Sequence, residues 1–450
     1  MRPVDESHLQ HVADDLISRG IDVLRIGYAD LIGTERGRDL LLPQLVRTVG
    51  DGVAFCRSVL ATSPMGDVIP IAGGLAEGLP DVTAFPDLST LREVPWEPGV
   101  AHCIADLYDP DGTPSEETPR NVLRRVAATF AELGMTPVVG PELEFYVLRR
   151  DDASPTGWSR YGDATGNVYV AGRRGDPENL LLRSLRRLGD YGLEVVAANH
   201  EFCSGQFEIN MWHSTALDAA DRAFRFKSAV KELARQEDKQ ATFMAKPFND
   251  EGGSGFHLHF STVDDDGRSL FDDPSGEHGL STVARSAIAG ILAHAPALAA
   301  LTNPTINSYK RFGRDTLAPW LVDWGLDNRS ATVRVPPERG RACRLELRLG
   351  DASANPYLAI AGLLAAAYLG IRDELTPPAP LEGYGYDTTK ADVLPAGLDQ
   401  SLDAFAADKD FADLFGPRFA DAFLTYKRHE LERFSRYVTD WEFREYAYHL

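Results

Sequence analysis

The stretch CRLELRLGD, residues 343–351, alternates charged residues with leucine. Arg344, Glu346 and Arg348 fall on one side of an extended backbone, and Leu345, Leu347 and Leu349 on the other. That is the period of a strand with one apolar face. A strand facing only water scatters its polar residues. Here they run positive, negative, positive, an order that suits ligands better than solvent.

Three more stretches share the pattern. In PELEFYVL (141–148) Glu142 and Glu144 lie opposite Leu143, Phe145 and Val147. In HEFCSGQFEIN (200–210) Glu201 precedes a Ser-Gly turn, after which Glu208 and Asn210 alternate with Phe207 and Ile209. In GGSGFHLHFS (252–261) His257, His259 and Ser261 oppose Phe256, Leu258 and Phe260. If these faces converge, the carboxylates of Glu142, Glu144, Glu201, Glu208 and Glu346 meet in one cavity with two imidazoles. Such a group would raise its own pKa values or drive itself apart unless cations neutralise it. An oxygen-rich cage with one or two histidines suits Mg²⁺ or Mn²⁺ better than Zn²⁺.

Magnesium commonly accompanies phosphate, yet the chain has no G-x-x-x-x-G-K-[ST] and no G-x-G-x-x-G between a strand and a helix. Positive groups would have to come from side chains. Arg311, Arg329, Arg334, Arg339, Arg341, Arg344 and Arg348 crowd one segment, and guanidinium matches phosphate and carboxylate oxygens. A salt-bridged surface loop explains Arg339 and Arg341 equally well.

Around these motifs the chain reads as an α+β protein. Strands follow one another without intervening helices, which favours an antiparallel sheet over a doubly wound one. A hairpin is expected over residues 21–42, loops and short strands over 50–100, and helices over 177–191 and 215–238. ATFMAKPF (241–248) reads as a strand, and YLAIAGLLAAAYLGI (357–371) as a buried helix too short for a membrane span. The N-terminal segment reads as a surface helix. DPDGTPSEETPRNVL (109–123), with Pro119 at a helix start, is the best boundary, dividing the chain into 1–112 and 113–450.

The 450 residues carry 44% hydrophobic and 25% charged side chains and a net charge of −21, so neither nucleic acid nor a membrane surface is an expected partner. The cysteines are widely spaced and form no C-x-x-C pair, which fits a cytoplasmic protein with reduced thiols.

Taken together, these motifs resemble the glutamine synthetase superfamily, class I-like, along nearly the whole chain. NSYKR (307–311), DNRSATVRVP (327–336), RLELRLGDASANPY (344–357) and GSGFHLHFS (253–261) resemble its ATP- and glutamate-binding signatures. PELEF and NHEFCSGQFEIN resemble its metal-binding strands. LRIGYADLIGTERGR resembles the hairpin of its small N-terminal domain, and TDWEFREY completes the match near the C-terminus.

The resemblance implies a small β-grasp-like N-terminal domain and a large catalytic domain with a curved antiparallel sheet. It implies a dodecamer of two hexameric rings with active sites shared between neighbours. It implies ATP as co-substrate and two to three Mg²⁺ or Mn²⁺ ions per site. Glu144, Glu201 and Glu208 match ligands of the first metal, and Glu142, His257 and Glu346 those of the second. His259, Ser261 and Arg344 match nucleotide-contacting positions. Arg311, Arg348 and Gly253 match positions that hold the acid substrate. Arg329 matches the arginine that neutralises the transferred phosphoryl group, with Arg334 close by. The implied chemistry phosphorylates the γ-carboxylate of glutamate, giving an acyl phosphate that an amine then attacks.

Three departures stand out. Ammonia-using members carry Glu in a Y-E-A-P turn, but here the turn is TLAP and the position is Leu317. They also carry an Asp in an F-D-G-S-S loop of the neighbouring subunit; GDGVAFCRSVLATSPMGD (50–67) lacks it, and Asp51 is only a weak counterpart of that Asp. Gly252 stands where those members tend to have Asn. Leu317 removes an acceptor and a charge from a cation's place, which favours an amine larger than ammonia. Trp320 is expected either to wall that place or to pack in the core. The expected activity is an ATP-dependent γ-glutamyl–amine ligase, as in γ-glutamylpolyamine or γ-glutamylamide synthetases. A true glutamine synthetase with a rearranged ammonium site, and a catalytically silent nitrogen-sensing relative, are the alternatives.

Overall fold

The structure, a computed structural model, describes residues 6–45, 49, 52–162, 166–314 and 316–450. Asp51 lies outside the described residues. The first six strands are β1 (Val23–Ala29), β2 (Glu35–Leu41), β3 (Val53–Cys56), β4 (Asp81–Pro86), β5 (Arg92–Glu93) and β6 (Val100–Tyr108). They form one sheet in the order β2-β1-β6-β4-β3, with β5 on β6. The expected hairpin is β1–β2. Its turn is fixed by the buried Asp30 carboxylate, which accepts from the backbone N–H groups of Ile32 and Thr34, and by Gly33 at φ +82°. The N-terminal helix Glu6–Ser18 is not wholly a surface helix, because Leu9, Ala13 and Leu16 recur at helical spacing and join the core beneath this sheet.

The remaining strands form a ten-stranded sheet. They are β7 (Thr136–Arg150), β8 (Trp158–Arg160), β9 (Val195–His200), β10 (Gln206–Met211), β11 (Ser214–Thr215), β12 (Lys239–Thr242), β13 (Phe256–Val263), β14 (Trp324–Leu326), β15 (Val333–Val335) and β16 (Leu345–Leu347). The main path runs β14-β15-β16-β13-β7-β10-β9, antiparallel except for the β14–β15 pair. The architecture is thus α+β, as the sequence indicates. ATFMAKPF is strand only as far as Thr242; beyond it Pro247 lacks the N–H a ladder needs and biases Lys246 away from regular pairing.

One face of this sheet is apolar. Leu143, Phe145, Phe207, Ile209, Leu258, Phe260, Leu345 and Leu347 are all buried in one core with the helices Ala216–Gln236 and Pro356–Arg372. Burying each such side chain contributes about 1.5–3 kcal/mol. The helix Pro356–Arg372 is apolar all round because the helices Pro119–Thr129 and Thr282–Ala293 also pack on it. Asn355 caps it, accepting from the Tyr357 N–H at 3.1 Å, and its own amide donates to the Asp30 carbonyl at 3.0 Å. That bond ties the β1–β2 turn to the large sheet. No single helix among the described residues is long and apolar enough to cross a membrane.

Candidate active site

Strand register assembles the site. Across the β7–β10 ladder Glu208 stands opposite Glu144, and Asn210 opposite Glu142. Across β7–β13, His257 stands opposite Glu142; across β13–β16, His259 opposite Glu346; across β15–β16, Arg334 opposite Glu346. Directly opposed residues share a face, so the charged rows of all four motifs lie on one side of one sheet. Glu201 follows the end of β9 and rejoins them through the turn at Gly205.

The side chains form two three-donor groups. Glu142, Glu208 and His257 offer one set of atoms within 4.8 Å of one another, and Glu142, His259 and Glu346 a second. His259 Nε2 lies 3.1 Å from Glu142, and His257 Nδ1 lies 3.9 Å from both Glu142 and Glu346. His259, matched by sequence to the nucleotide, therefore sits among the carboxylates. Glu144 and Glu201 belong to neither group. Glu144 Oε2 accepts from the Gln206 amide at 3.0 Å and the Gly255 N–H at 2.9 Å, and Glu201 accepts from Asn199 at 2.7 Å.

The electrostatics divide the site. Burial first, then repulsion from its neighbours, pushes Glu208 well above the usual carboxylate range; the neighbours are Glu142, Glu144 and Glu201. Glu201 is raised by burial and by Glu144, and Glu144 chiefly by burial. Glu346 behaves oppositely. Burial alone would raise it, but Arg348, His259, His257 and Arg334 hold it below the usual range. His257 is kept neutral by burial and by Arg348. A carboxylate cluster with this much uncompensated repulsion, plus neutral imidazole, fits a divalent cation by donor chemistry and by charge.

Beside the carboxylates lies a cationic corner. The buried Arg311 donates to the Leu349 carbonyl at 3.1 Å, next along the chain from Arg348. Arg348 Nε donates to the Arg329 carbonyl at 2.9 Å. Gly253 runs against the Arg311 stem so closely that a Cβ there would meet Arg311 Cγ and the Ala245 carbonyl at 2.6 Å. Gln206, absent from the sequence expectations, donates to both Glu144 and the Gly253 carbonyl at 3.0 Å. Its signal was available, since it alternates with Glu208 and Asn210. The Gly252 peptide is gripped by Cys203 Sγ, which accepts its N–H, and by the Tyr146 hydroxyl, which donates to its carbonyl. Further out, Arg344 Nε lies 3.1 Å from His259 Nδ1 and its Nη1 donates to Glu338, while the Ser261 hydroxyl donates to the Cys343 carbonyl at 3.0 Å.

Leu317 lines a cavity of about 750 Å³ with Arg329, Arg334, Asp327, Leu326 and Tyr384. It is 40% exposed and holds φ +58°, a left-handed conformation that costs a non-glycine residue about 1–2 kcal/mol. Asp327 and His278, on the same wall, are also left-handed. Clustered backbone strain of this kind gathers at functional sites. Trp320 does not line this cavity and is half-buried.

Comparison with known proteins agrees with this geometry. The family model for the glutamine synthetase catalytic domain matches residues 116–446. The glutamine synthetase of Halobacterium salinarum is 34% identical over 453 residues, spanning 97% of this chain and 95% of its own. That of Thermotoga maritima is 35% identical over 441 residues, spanning 94% and 96%. Among solved structures, a GmaS/ADP complex superposes with a TM-score of 0.86 at 32% identity, covering 97% of this chain and 99% of that one. A novel glutamine synthase homolog reaches 0.81 at 26% identity, covering 95% and 98%. The fold and these matches define an ATP-dependent carboxylate–amine ligase. The chain belongs to the glutamine synthetase family.

Proposed function

We propose that the chain joins the γ-carboxylate of glutamate to an amine larger than ammonia through a γ-glutamyl phosphate. The observation that carries this reading is Leu317, an apolar side chain held in a left-handed turn on the cavity wall beside Arg329 and Arg334. Ammonium needs acceptors and negative charge around it; an alkyl or aryl amine gains from apolar contact.

On this reading Glu142, Glu144, Glu201, Glu208, His257 and Glu346 hold two to three Mg²⁺ or Mn²⁺ ions, with His259 within reach. The ions supply charge neutralisation for the approach of ATP to a carboxylate. Arg311, Arg348 and Gly253 bind the α-carboxylate end of glutamate, and Arg348 is already aimed by its bond to the Arg329 carbonyl. Arg344 and Ser261 face the nucleotide. Arg329 and Arg334 meet the negative charge that builds on the transferred phosphoryl oxygens. The amine then displaces phosphate from the acyl carbon.

The same reading divides the chain into domains 1–112 and 113–450, places it in the cytoplasm and assembles it as a dodecamer of two hexameric rings. Self-association is supported by apolar side chains left exposed near the C-terminus, among them Trp441, Phe443 and Leu450. The second reading, ammonia as the amine, is favoured by the curated relatives, which are named glutamine synthetases.

Phosphate release with glutamate, MgATP and either ammonium or a panel of primary amines separates the two. The first reading expects turnover with at least one organic amine well above that with ammonium. Robust turnover with ammonium alone sinks it.

A further inference from the structure

A second cleft, of about 900 Å³, opens between the β1–β2 turn and the helix Ala216–Gln236. Its lining includes none of the carboxylates, histidines or arginines of the candidate active site. Lys227, Lys231 and Arg235 project into it from one helix face, four residues apart, so each like charge sits one turn from the next. In a chain of net charge −21 such a stripe would ordinarily be laced with acids. Among the described residues it is not: no carboxylate lies within the 4.0 Å of an ion pair from any of the three. The two acids of the lining, Glu97 and Glu232, bond to groups other than these three. Glu97 takes Arg25 at 2.8 Å, and Glu232 accepts from the Trp96 indole at 2.7 Å.

Lys227 is buried and spends donors on the carbonyls of Ala354 and Ser353, at 2.8 and 3.4 Å. Its Nζ and that of Lys231 both lie near the Phe243 ring, 5.5 and 5.7 Å from the centroid. Burial, and then Lys231, bring the Lys227 ammonium down to about 7. The two amines lie near one ring, beside the hydroxyls of Thr34 and Ser353, and neither makes an ion pair with a carboxylate among the described residues.

We propose that this cleft is a binding site for a small dianion, a dicarboxylate or a phosphate, neutralised by Lys227, Lys231 and Arg235. Its occupant touches Ser353, five residues along the chain from Arg348 of the acid-binding corner. The site is separate from the active site and stands whichever amine the enzyme uses.

Isothermal calorimetry with succinate and with inorganic phosphate, at constant ionic strength and with MgATP saturating the active site, tests it. The expected result is saturable binding of one or both anions, one per chain, with chloride giving none. Lys231→Gln/Arg235→Gln, which alters only solvent-facing positions, should weaken it at least tenfold while basal turnover without added anion persists. Lys231→Arg should retain it. Preference for succinate or phosphate identifies which anion the site takes. No saturable heat with either anion, or binding unchanged in the double variant, overturns the proposal.

Discussion

Arg348 Nη1 donates to Glu346 Oε1 at 2.5 Å, two residues back along its own strand, while Arg334 Nη1 takes Oε2 at the same distance. Glu346 is 1% exposed, and its charge is held by the two guanidiniums that bracket it together with the imidazoles of His259 and His257. Glu346→Gln keeps the shape and removes the charge, leaving the buried Arg348 without a counter-ion and Arg334 with Asp327 alone. We expect stability to fall by about 3–5 kcal/mol and turnover by about 10²–10³-fold. Thermal denaturation and phosphate release measure the two effects; a variant of unchanged stability would show that the bracket matters little.

The raised carboxyls predict coupling between cation and proton. Glu201 and Glu208 are pushed up by burial and mutual repulsion, so they retain protons near neutrality when no cation is bound. Mg²⁺ must displace those protons, and its affinity should rise with pH across neutrality. Calorimetry in two buffers of different ionisation enthalpy should report proton release on Mg²⁺ binding. Identical heats in both buffers would count against a shared carboxylate cage.

Leu317→Glu restores a carboxylate to the cavity wall. The ratio of kcat/KM for ammonium over that for an alkylamine should rise by about tenfold or more. Leu317→Gly is the control. It relieves the left-handed strain and should raise the melting temperature without improving ammonium use, separating backbone from charge.

Lys227 predicts a pH-dependent stability. Its folded-state pKa, about 7, lies below the unfolded value, so between pH 7 and 10.5 the unfolded chain binds more protons. Stability should therefore rise with pH through that window, the burial cost being fully present below it. Urea denaturation at several pH values, compared with Lys227→Met, isolates the effect. The variant should lose the extra slope.

Much of the site was legible because strand parity is a local property. The alternation in PELEF, QFEIN, FHLHF and RLELR fixed which residues share a face, and the apolar partners fixed which face is buried. Lateral register is not local, so the opposition of Glu208 to Glu144 and of Arg334 to Glu346 needed the folded sheet. That is why the three-donor groups cut across the ligand sets expected from the resemblance, and why His259 emerged among the carboxylates. Gln206 was overlooked for a different reason. An amide carries no charge to attract notice, although its two N–H groups join Glu144 to Gly253. The side of Trp320 stays open in the sequence because three residues of an irregular turn can point anywhere, and no periodicity constrains them.

The directly opposed residues of the ten-stranded sheet carry one more consequence. Side chains reverse sides at every residue, so a slip of β13 against β7 by a single position would send His257 and His259 into the hydrocarbon core and Phe256 and Leu258 towards the carboxylates. A misaligned chain would lose the imidazole from both three-donor groups. The imidazoles and carboxylates thus meet only in correctly threaded molecules.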